Sequence, residues 1–134
     1  MEMYVPQDEN RFERDFYRRL LTVMPDNKEI MTELAAWYTE NGEFEQGLTL
    51  DLRLAKLYPD DPYVWYNLAC SQSLCKDPEA ACVSLTEAVI RGYDELDRLL
   101  EDEDLAYARE SAAFERFMDK AEVLFGSEDG CEHG

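Results

Sequence analysis

The sequence predicts an all-α fold in which antiparallel helix–turn–helix repeats stack as a short α-solenoid. Three turn-like segments, residues 25–27 (Pro-Asp-Asn), 59–61 (Pro-Asp-Asp) and 93–95 (Tyr-Asp-Glu), recur at a spacing of 34 residues. A fixed period of roughly 20–50 residues is typical of repeated supersecondary units. Between these segments the apolar residues recur with helical spacing. Because helices joined by about two to four residues lie antiparallel to their neighbours, the period predicts stacked helix pairs.

The first half of the chain predicts helices over about 8–24, 28–41 and 43–58. Their apolar stripes are Phe12, Phe16, Leu20 and Val23; Ile30, Leu34, Trp37 and Tyr38; and Phe44, Leu48, Leu52 and Ala55. The pair Asn41-Gly42 is a stop signal for the second helix, because both residues tolerate the left-handed conformation that ends helices. Pro59 ends the third helix, since proline cannot continue the hydrogen-bond ladder.

The second half predicts helices over about 62–76, 78–91, 95–101 and 104–124. Asp61-Pro62 and Asp77-Pro78 are start signals, with a capping side chain followed by proline at the first helical position. The apolar pattern leaves the 34-residue register after Glu95, so residues 95–124 are expected to cap the stack. We therefore expect one domain over residues 1–125 and a disordered tail over 126–134.

In these residues the chain resembles the tetratricopeptide repeat family, whose motif is a 34-residue helix–turn–helix. The copy over 62–95 carries the pattern at Trp65, Leu68, Ala69, Ala81, Leu85 and Ala88; the copy over 28–61 carries it at Met31, Leu34, Ala35, Tyr38, Gly47, Leu54 and Pro59. The resemblance implies two full repeats, a preceding half repeat and a right-handed solenoid. The chain departs from the pattern at Asp51 in a Phe position, Leu54 in a small-residue position, Gln72 in a Tyr position and Asp102 in a Leu position.

The charge balance restricts the classes of partner. The chain has 31 acidic and 13 basic residues and a net charge of −18. Its own field opposes contact with nucleic acid phosphates and with anionic membranes. Two interpretations of the acidity stay open: it confers solubility alone, or it attracts a basic protein partner.

The termini and cysteines indicate a cytoplasmic protein. The first residues show no basic segment followed by an apolar run, and no stretch reaches the ~20 apolar residues of a membrane span. The cysteines, Cys70, Cys75, Cys82 and Cys131, follow neither redox nor zinc spacing, so reduced thiols are expected. A disulfide between Cys75 and Cys82 is the alternative.

The sequence offers little for catalysis, and we expect no enzyme activity, cofactor or metal. The one histidine, His133, lies two residues from Cys131, which is too few ligands for a zinc site. Residues 101–104 (Glu-Asp-Glu-Asp) lack the spacing of a calcium loop and are expected to be a solvated charge run.

The leading functional hypothesis is a non-catalytic adaptor that binds a peptide or helix of a basic partner. In the resembled family the first helices of successive pairs line a concave groove. Carried onto this chain, the groove residues are Glu29, Thr32, Glu33, Ala36, Tyr63, Tyr66, Asn67, Cys70 and Leu74. Aromatic rings beside carboxylates suit arginine or lysine side chains. The alternative is a homodimer in which a second copy completes the short array.

Overall fold

The structure is a computed structural model that describes the backbone of residues 6–133 and the side chains of residues 11–124. Within that backbone every regular element is helical, as the sequence predicts. The elements are α1 (Pro6–Val23), α2 (Lys28–Glu40), α3 (Phe44–Leu57), α4 (Pro62–Leu74), α5 (Pro78–Ile90), α6 (Leu96–Glu101), a 3-10 turn (Glu103–Leu105), α7 (Ala106–Arg109) and α8 (Ala112–His133). The bounds of α1 to α6 differ from the predicted ones by two residues at most. No helix in the described backbone is long and apolar enough to cross a membrane.

The 34-residue spacing recurs in the helix starts. The helices α2, α4 and α6 begin at Lys28, Pro62 and Leu96, each 34 residues after the one before. The helices α3, α5 and α8 begin at residues 44, 78 and 112 with the same spacing. The predicted loss of register after Glu95 is therefore wrong for the helix starts. The third pair differs from the first two pairs because its first helix is interrupted.

The break in the third pair begins at Asp102. This residue has an extended backbone (φ −66°, ψ 122°), and its side chain accepts a hydrogen bond from the backbone N–H of Asp104. An aspartate that bonds two residues ahead starts a new turn and competes with helix continuation. The single helix predicted over 104–124 is accordingly replaced by the 3-10 turn, α7 and α8.

The last helix starts at a cap that the sequence analysis did not identify. The Ser111 hydroxyl accepts from the N–H of Phe114 (3.1 Å) and donates to the carbonyl of Ala108 (2.7 Å). These bonds end α7 and begin α8. The backbone of α8 is helical to His133, where the sequence predicts a disordered tail over 126–134. The side chains of that tail lie outside the described residues.

Consecutive helices pack against one another along the chain. The contacts run from α1 to α2, α2 to α3, α3 to α4, α4 to α5 and α5 to α8, and α4 also touches the 3-10 turn and α7. One buried cluster lies among α2, α3 and α4, and a second joins α4 and α5 to α6, the 3-10 turn and α8. Trp65 packs against both clusters.

Small residues allow α2 and α3 to cross closely, as the sequence predicts. A Cβ at Gly47 would lie 2.9 Å from Oγ1 of Thr39 and 3.3 Å from the carbonyl oxygen of Ala35. Ala81, which is 34 residues after Gly47, is fully buried at the corresponding place in α5. Short side chains at these positions let the helix axes approach.

The predicted helix caps are present. Asp61 accepts from the N–H of Tyr63 (2.9 Å) and Asp77 accepts from the N–H of Ala80 (3.1 Å). Pro62 and Pro78 occupy the first turn of their helices. These bonds satisfy backbone donors that have no partner within the helix.

Two equivalent turns close the helix pairs. Gly42 (φ +79°) follows α2, and Lys76 (φ +67°) follows α4 at the corresponding position. In both turns the chain closes with a backbone bond, from Glu43 to Tyr38 (2.8 Å) and from Asp77 to Gln72 (2.9 Å). A side chain with a Cβ is strained at positive φ, so Lys76 carries a cost that Gly42 avoids.

This strain makes a prediction about Lys76. The variant Lys76→Gly should be more stable than Lys76→Ala by about 1 kcal/mol, because only glycine relieves the positive φ. Both variants remove the ammonium group that lies 4.4 Å from the centre of the Tyr107 ring, so that contact cancels in the comparison. Urea denaturation of the two variants measures the difference.

A matched pair at Val83, which is exposed in the middle of α5, provides the control. There the order should reverse, with alanine more stable than glycine by about 1 kcal/mol, because the backbone is helical. The same order at both positions would contradict the assigned strain.

Candidate functional site

A cavity of about 230 Å³ lies between α2, α3, α4 and the break after α6. Its walls come from helices that are distant in sequence and that the 34-residue spacing brings side by side. It is lined by Thr32, Ala35, Ala36, Thr39, Glu40, Asp51, Tyr66, Asn67, Cys70, Ser71, Arg98, Asp102 and Asp104. The cavity is therefore built by three successive helix pairs.

The cavity contains part of the predicted groove. The predicted residues that line it are Thr32, Ala36, Tyr66, Asn67 and Cys70. The other four lie elsewhere: Glu29 and Glu33 are exposed on α2, and Leu74 is half-buried at the end of α4. Tyr63 is exposed on α4, and its hydroxyl donates to Glu95 (2.7 Å).

The most deeply buried charged group in the cavity wall is Asp51 on α3. Its side chain is 4% exposed, and its Oδ2 accepts from the Ser71 hydroxyl (2.5 Å). Within residues 11–124, Ser71 is its only hydrogen-bond partner, and no cation pairs with it. Burial raises the pKa of Asp51 to about 6, against the opposing effect of the Ser71 bond. The carboxylate is thus a buried group that lacks a counter-charge.

Asp102 is held by several contacts at the opposite wall. Its Oδ1 accepts from the N–H of Asp104 (3.0 Å), and its Oδ2 accepts from the Tyr66 hydroxyl (2.7 Å). The Nε atom of Arg98 lies 4.0 Å from the same Oδ2. The Arg109 guanidinium donates to the Asp102 carbonyl (2.6 Å), which fixes the backbone at the break. Both carboxylate oxygens are therefore in use.

Tyr66 is the ring that supports Asp102. It is 1% exposed and stacks on Tyr93 with ring centres 4.5 Å apart and an interplanar angle of 12°. The guanidinium of Arg98 lies 5.0 Å from its ring centre. Burial, together with the hydrogen bond to Asp102, raises the pKa of Tyr66, so its hydroxyl stays protonated as a donor.

Two further carboxylates complete the negative lining. Asp104 is half-buried and Glu40 is exposed, and neither side chain accepts a hydrogen bond from a described residue. Burial raises the pKa of Asp104, and the neighbouring acids Asp102, Glu103 and Glu40 raise it further. Among the described lining residues, Arg98 is the only cation facing Glu40, Asp51, Asp102 and Asp104. The cavity is accordingly suited to hold a positive charge.

Three potential metal ligands also meet here. Donor atoms of Cys70, Asp102 and Asp104 lie within 4.8 Å of one another. Three donors are fewer than the four of a structural zinc site, and the oxygens of Asp102 already accept other bonds. Burial raises the pKa of the Cys70 thiol well above its usual value, and nearby Asp102 and Asp104 raise it further. The protonated thiol is a poor metal ligand and a poor nucleophile.

The thiols in the described part of the chain are reduced. Cys70, Cys75 and Cys82 are free, so the alternative disulfide between Cys75 and Cys82 is not formed. Cys131 lies outside the described side chains.

The sequence analysis missed the acidic side of the cavity, although two of its residues carried a signal. Asp51 and Asp102 stand where the repeat pattern has Phe and Leu, and both line the cavity. Asp104 and Arg98 carried no such signal. The solvated charge run predicted over 101–104 is correct for the exposed Glu101 and Glu103, and it is wrong for Asp102 and Asp104.

Comparison with known proteins leaves the cavity as the main guide to function. No protein-family description matches the sequence, and no curated protein matches it either. The resemblance to the tetratricopeptide repeat family thus rests on the residues of this chain alone. Any function has to be argued from the geometry and charge described above.

The buried Asp51 predicts a pH dependence of stability. Its folded pKa of about 6 exceeds its ordinary value of 3.8, so between these values the folded chain binds more protons than the unfolded one. Stability therefore falls as pH rises through this window. At neutral pH, Asp51→Asn should raise the free energy of unfolding by about 3 kcal/mol, and near pH 4 it should give almost no gain.

Urea denaturation at a series of pH values measures this difference. Asp60→Asn is the matched control, because it removes the same charge from an exposed turn. Its effect should stay within about 0.5 kcal/mol at every pH. A gain from Asp51→Asn that does not change with pH would show that Asp51 is not a buried titrating group.

Proposed function

We propose that the chain is a non-catalytic binding module of the tetratricopeptide type that takes a basic segment of another protein in a concave groove. Three observations support the solenoid part of this proposal. The helix starts keep the 34-residue spacing, consecutive helices pack as neighbours, and the helices of a pair cross at Gly47 and Ala81. In such a stack α2, α4 and α6 are the first helices of successive pairs, and they would line the inner surface.

The observation that carries the binding proposal is the charge imbalance in the cavity. Glu40, Asp51, Asp102 and Asp104 line it together with a single described cation, Arg98. Opposite charge is attracted most strongly where water is partly excluded. The net charge of −18 adds a long-range field that draws a basic partner toward the surface. A basic protein segment fits both the local and the overall charge.

The side chains in the cavity favour binding over catalysis. The Cys70 thiol is buried with a raised pKa, which keeps it from acting as a nucleophile. The remaining polar groups supply acceptors, such as Glu40 and Asp104, and donors, such as Asn67, which is the chemistry of recognition.

A second candidate, self-association, is favoured by the exposed face of α1. Phe12 is 74% exposed and Phe16 is 51% exposed, and Val23 and Met24 extend the apolar surface. A second copy that packed there would extend the stack at its first helix. Sedimentation velocity over a range of concentrations tests it: a sedimentation coefficient that does not change with concentration excludes a dimer.

The binding proposal predicts a dependence on peptide charge. In fluorescence anisotropy, basic dodecamer peptides should bind more tightly than neutral or acidic peptides of equal length. Raising the salt from about 50 to about 500 mM should weaken binding at least about tenfold, because ions screen the attraction. Glu40→Gln and Asp104→Asn should each weaken it by about fivefold, or roughly 1 kcal/mol.

Asp60→Asn supplies the control, since it removes one negative charge, as each cavity variant does, but lies outside the cavity. Its effect should be smaller than that of either cavity variant. Binding that ignores peptide charge, or that high salt leaves unchanged, would contradict the proposal.

A further inference from the structure

We propose that the cavity is a receptor for a single arginine side chain of the partner, whose guanidinium is held by Asp51, Asp104 and Glu40. This inference rests on the proposed binding function and gives it a defined chemistry. It identifies one residue type in the partner that the cavity recognises, beyond general basic charge.

The size of the cavity matches one side chain. Pockets for small-molecule ligands and cofactors measure about 300–1,000 Å³, and this cavity measures about 230 Å³. Part of its wall consists of short side chains from α2, namely Thr32, Ala35, Ala36 and Thr39. Methyl groups along the wall suit the aliphatic stem of a long cationic side chain.

The unused hydrogen-bond acceptors of the cavity specify what the ligand must supply. Ser71 bonds one oxygen of Asp51, and the other oxygen accepts nothing from the described residues. The carboxylates of Asp104 and Glu40 likewise accept no side-chain or backbone hydrogen bond within residues 11–124. Asp102, by contrast, already accepts one hydrogen bond on each oxygen, from Tyr66 and from the Asp104 N–H. The ligand is therefore a donor of several hydrogen bonds.

Asp51 is an independent sign that a cation belongs in the cavity. A carboxylate that is 4% exposed is almost always paired, because an isolated buried charge is costly. The one cation among the described lining residues, Arg98, is placed against Asp102 and over the Tyr66 ring. Asp51 is a buried anion that lines an open cavity and has no counter-ion among the described residues. A cation that enters the cavity would supply that counter-ion.

The arrangement favours guanidinium over ammonium. Guanidinium has five N–H donors in one plane, keeps its charge when buried and is more weakly hydrated than ammonium. It can therefore bond several carboxylates at once and loses less hydration on entry. A divalent metal fits less well, because three candidate donors are fewer than the four of a structural site and the oxygens of Asp102 already accept hydrogen bonds.

Binding of the partner's arginine side chain in the cavity is expected to depend on pH. A guanidinium favours the ionised form of Asp51, so binding should tighten as pH rises through the Asp51 pKa of about 6. The other charged or titratable groups lining the same cavity are Glu40 on α2, Tyr66 and Cys70 on α4, and Arg98, Asp102 and Asp104 around the break.

The test is an NMR titration of the full chain with N-acetyl-arginine N-methylamide and, in parallel, with the lysine analogue. The backbone amide signals of Ala35, Asn67 and Ser71 should shift, and the arginine probe should bind at least about fivefold more tightly than the lysine probe. Asp51→Asn should weaken arginine binding about tenfold and flatten its rise between about pH 5 and pH 7. The control variant Asp60→Asn should change neither the affinity for the arginine probe nor the pH dependence of that affinity.

Three outcomes would overturn the inference. They are a lysine probe that binds as tightly, an Asp51→Asn variant that binds as tightly with intact signals, and Zn²⁺ that displaces the arginine probe at micromolar concentration. Asp104→Asn, on the opposite wall, repeats the test if Asp51→Asn alters the fold. If basic dodecamers still bind in a salt-dependent way, the arginine receptor fails while the proposed function stands. If neither probe nor peptide binds, both fail.

Discussion

The burial of α4 on nearly all sides is the constraint on which the rest of the structure depends. Seven of its residues are buried, and five of these belong to two clusters, one shared with α2 and α3 and one shared with α5 and the C-terminal helices. An isolated helix pair cannot cover such a helix, so a following pair is required. The same helix also supplies Tyr66, Asn67, Cys70 and Ser71 to the cavity. Residues of α4 therefore contribute both to the core packing and to the candidate site.

The C-terminal segment packs against α4 and α5 and, by the same contacts, forms one wall of the cavity. The Ser73 hydroxyl, fully buried on α4, accepts from the N–H of Ala108 (3.1 Å), and Arg109 donates to the carbonyls of Leu99 and Asp102. These bonds hold α7 against α4 and set the position of the break after α6. Because Asp102 stands at that break, the packing of the C-terminal segment against α4 and the geometry of the acidic site are coupled.

The positions that break the repeat pattern are the ones that carry polar functions. Asp51 replaces an expected Phe and lies at the buried end of the cavity, where its charge opposes folding at neutral pH. Asp102 replaces an expected Leu and interrupts a helix. Gln72 replaces an expected Tyr and accepts from Ser84 (2.6 Å), which satisfies both groups within a helix pair. Polar groups that cost stability and remain unpaired mark candidate sites, whereas satisfied ones are structural.

The sequence by itself determined the helix order, the bounds of α1 to α6, their caps and the net negative charge. These features depend on local signals, such as Asp61-Pro62, and on helical periodicity. Only the tertiary structure decided that Asp51, Asp102 and Asp104 share one cavity, which removes Asp102 and Asp104 from the solvated charge run. Periodicity places a residue on a face of its own helix, but the contacts of that face depend on its neighbours. The break at Asp102 removes even that periodicity, so its direction follows only from the bonds to Tyr66 and Arg109.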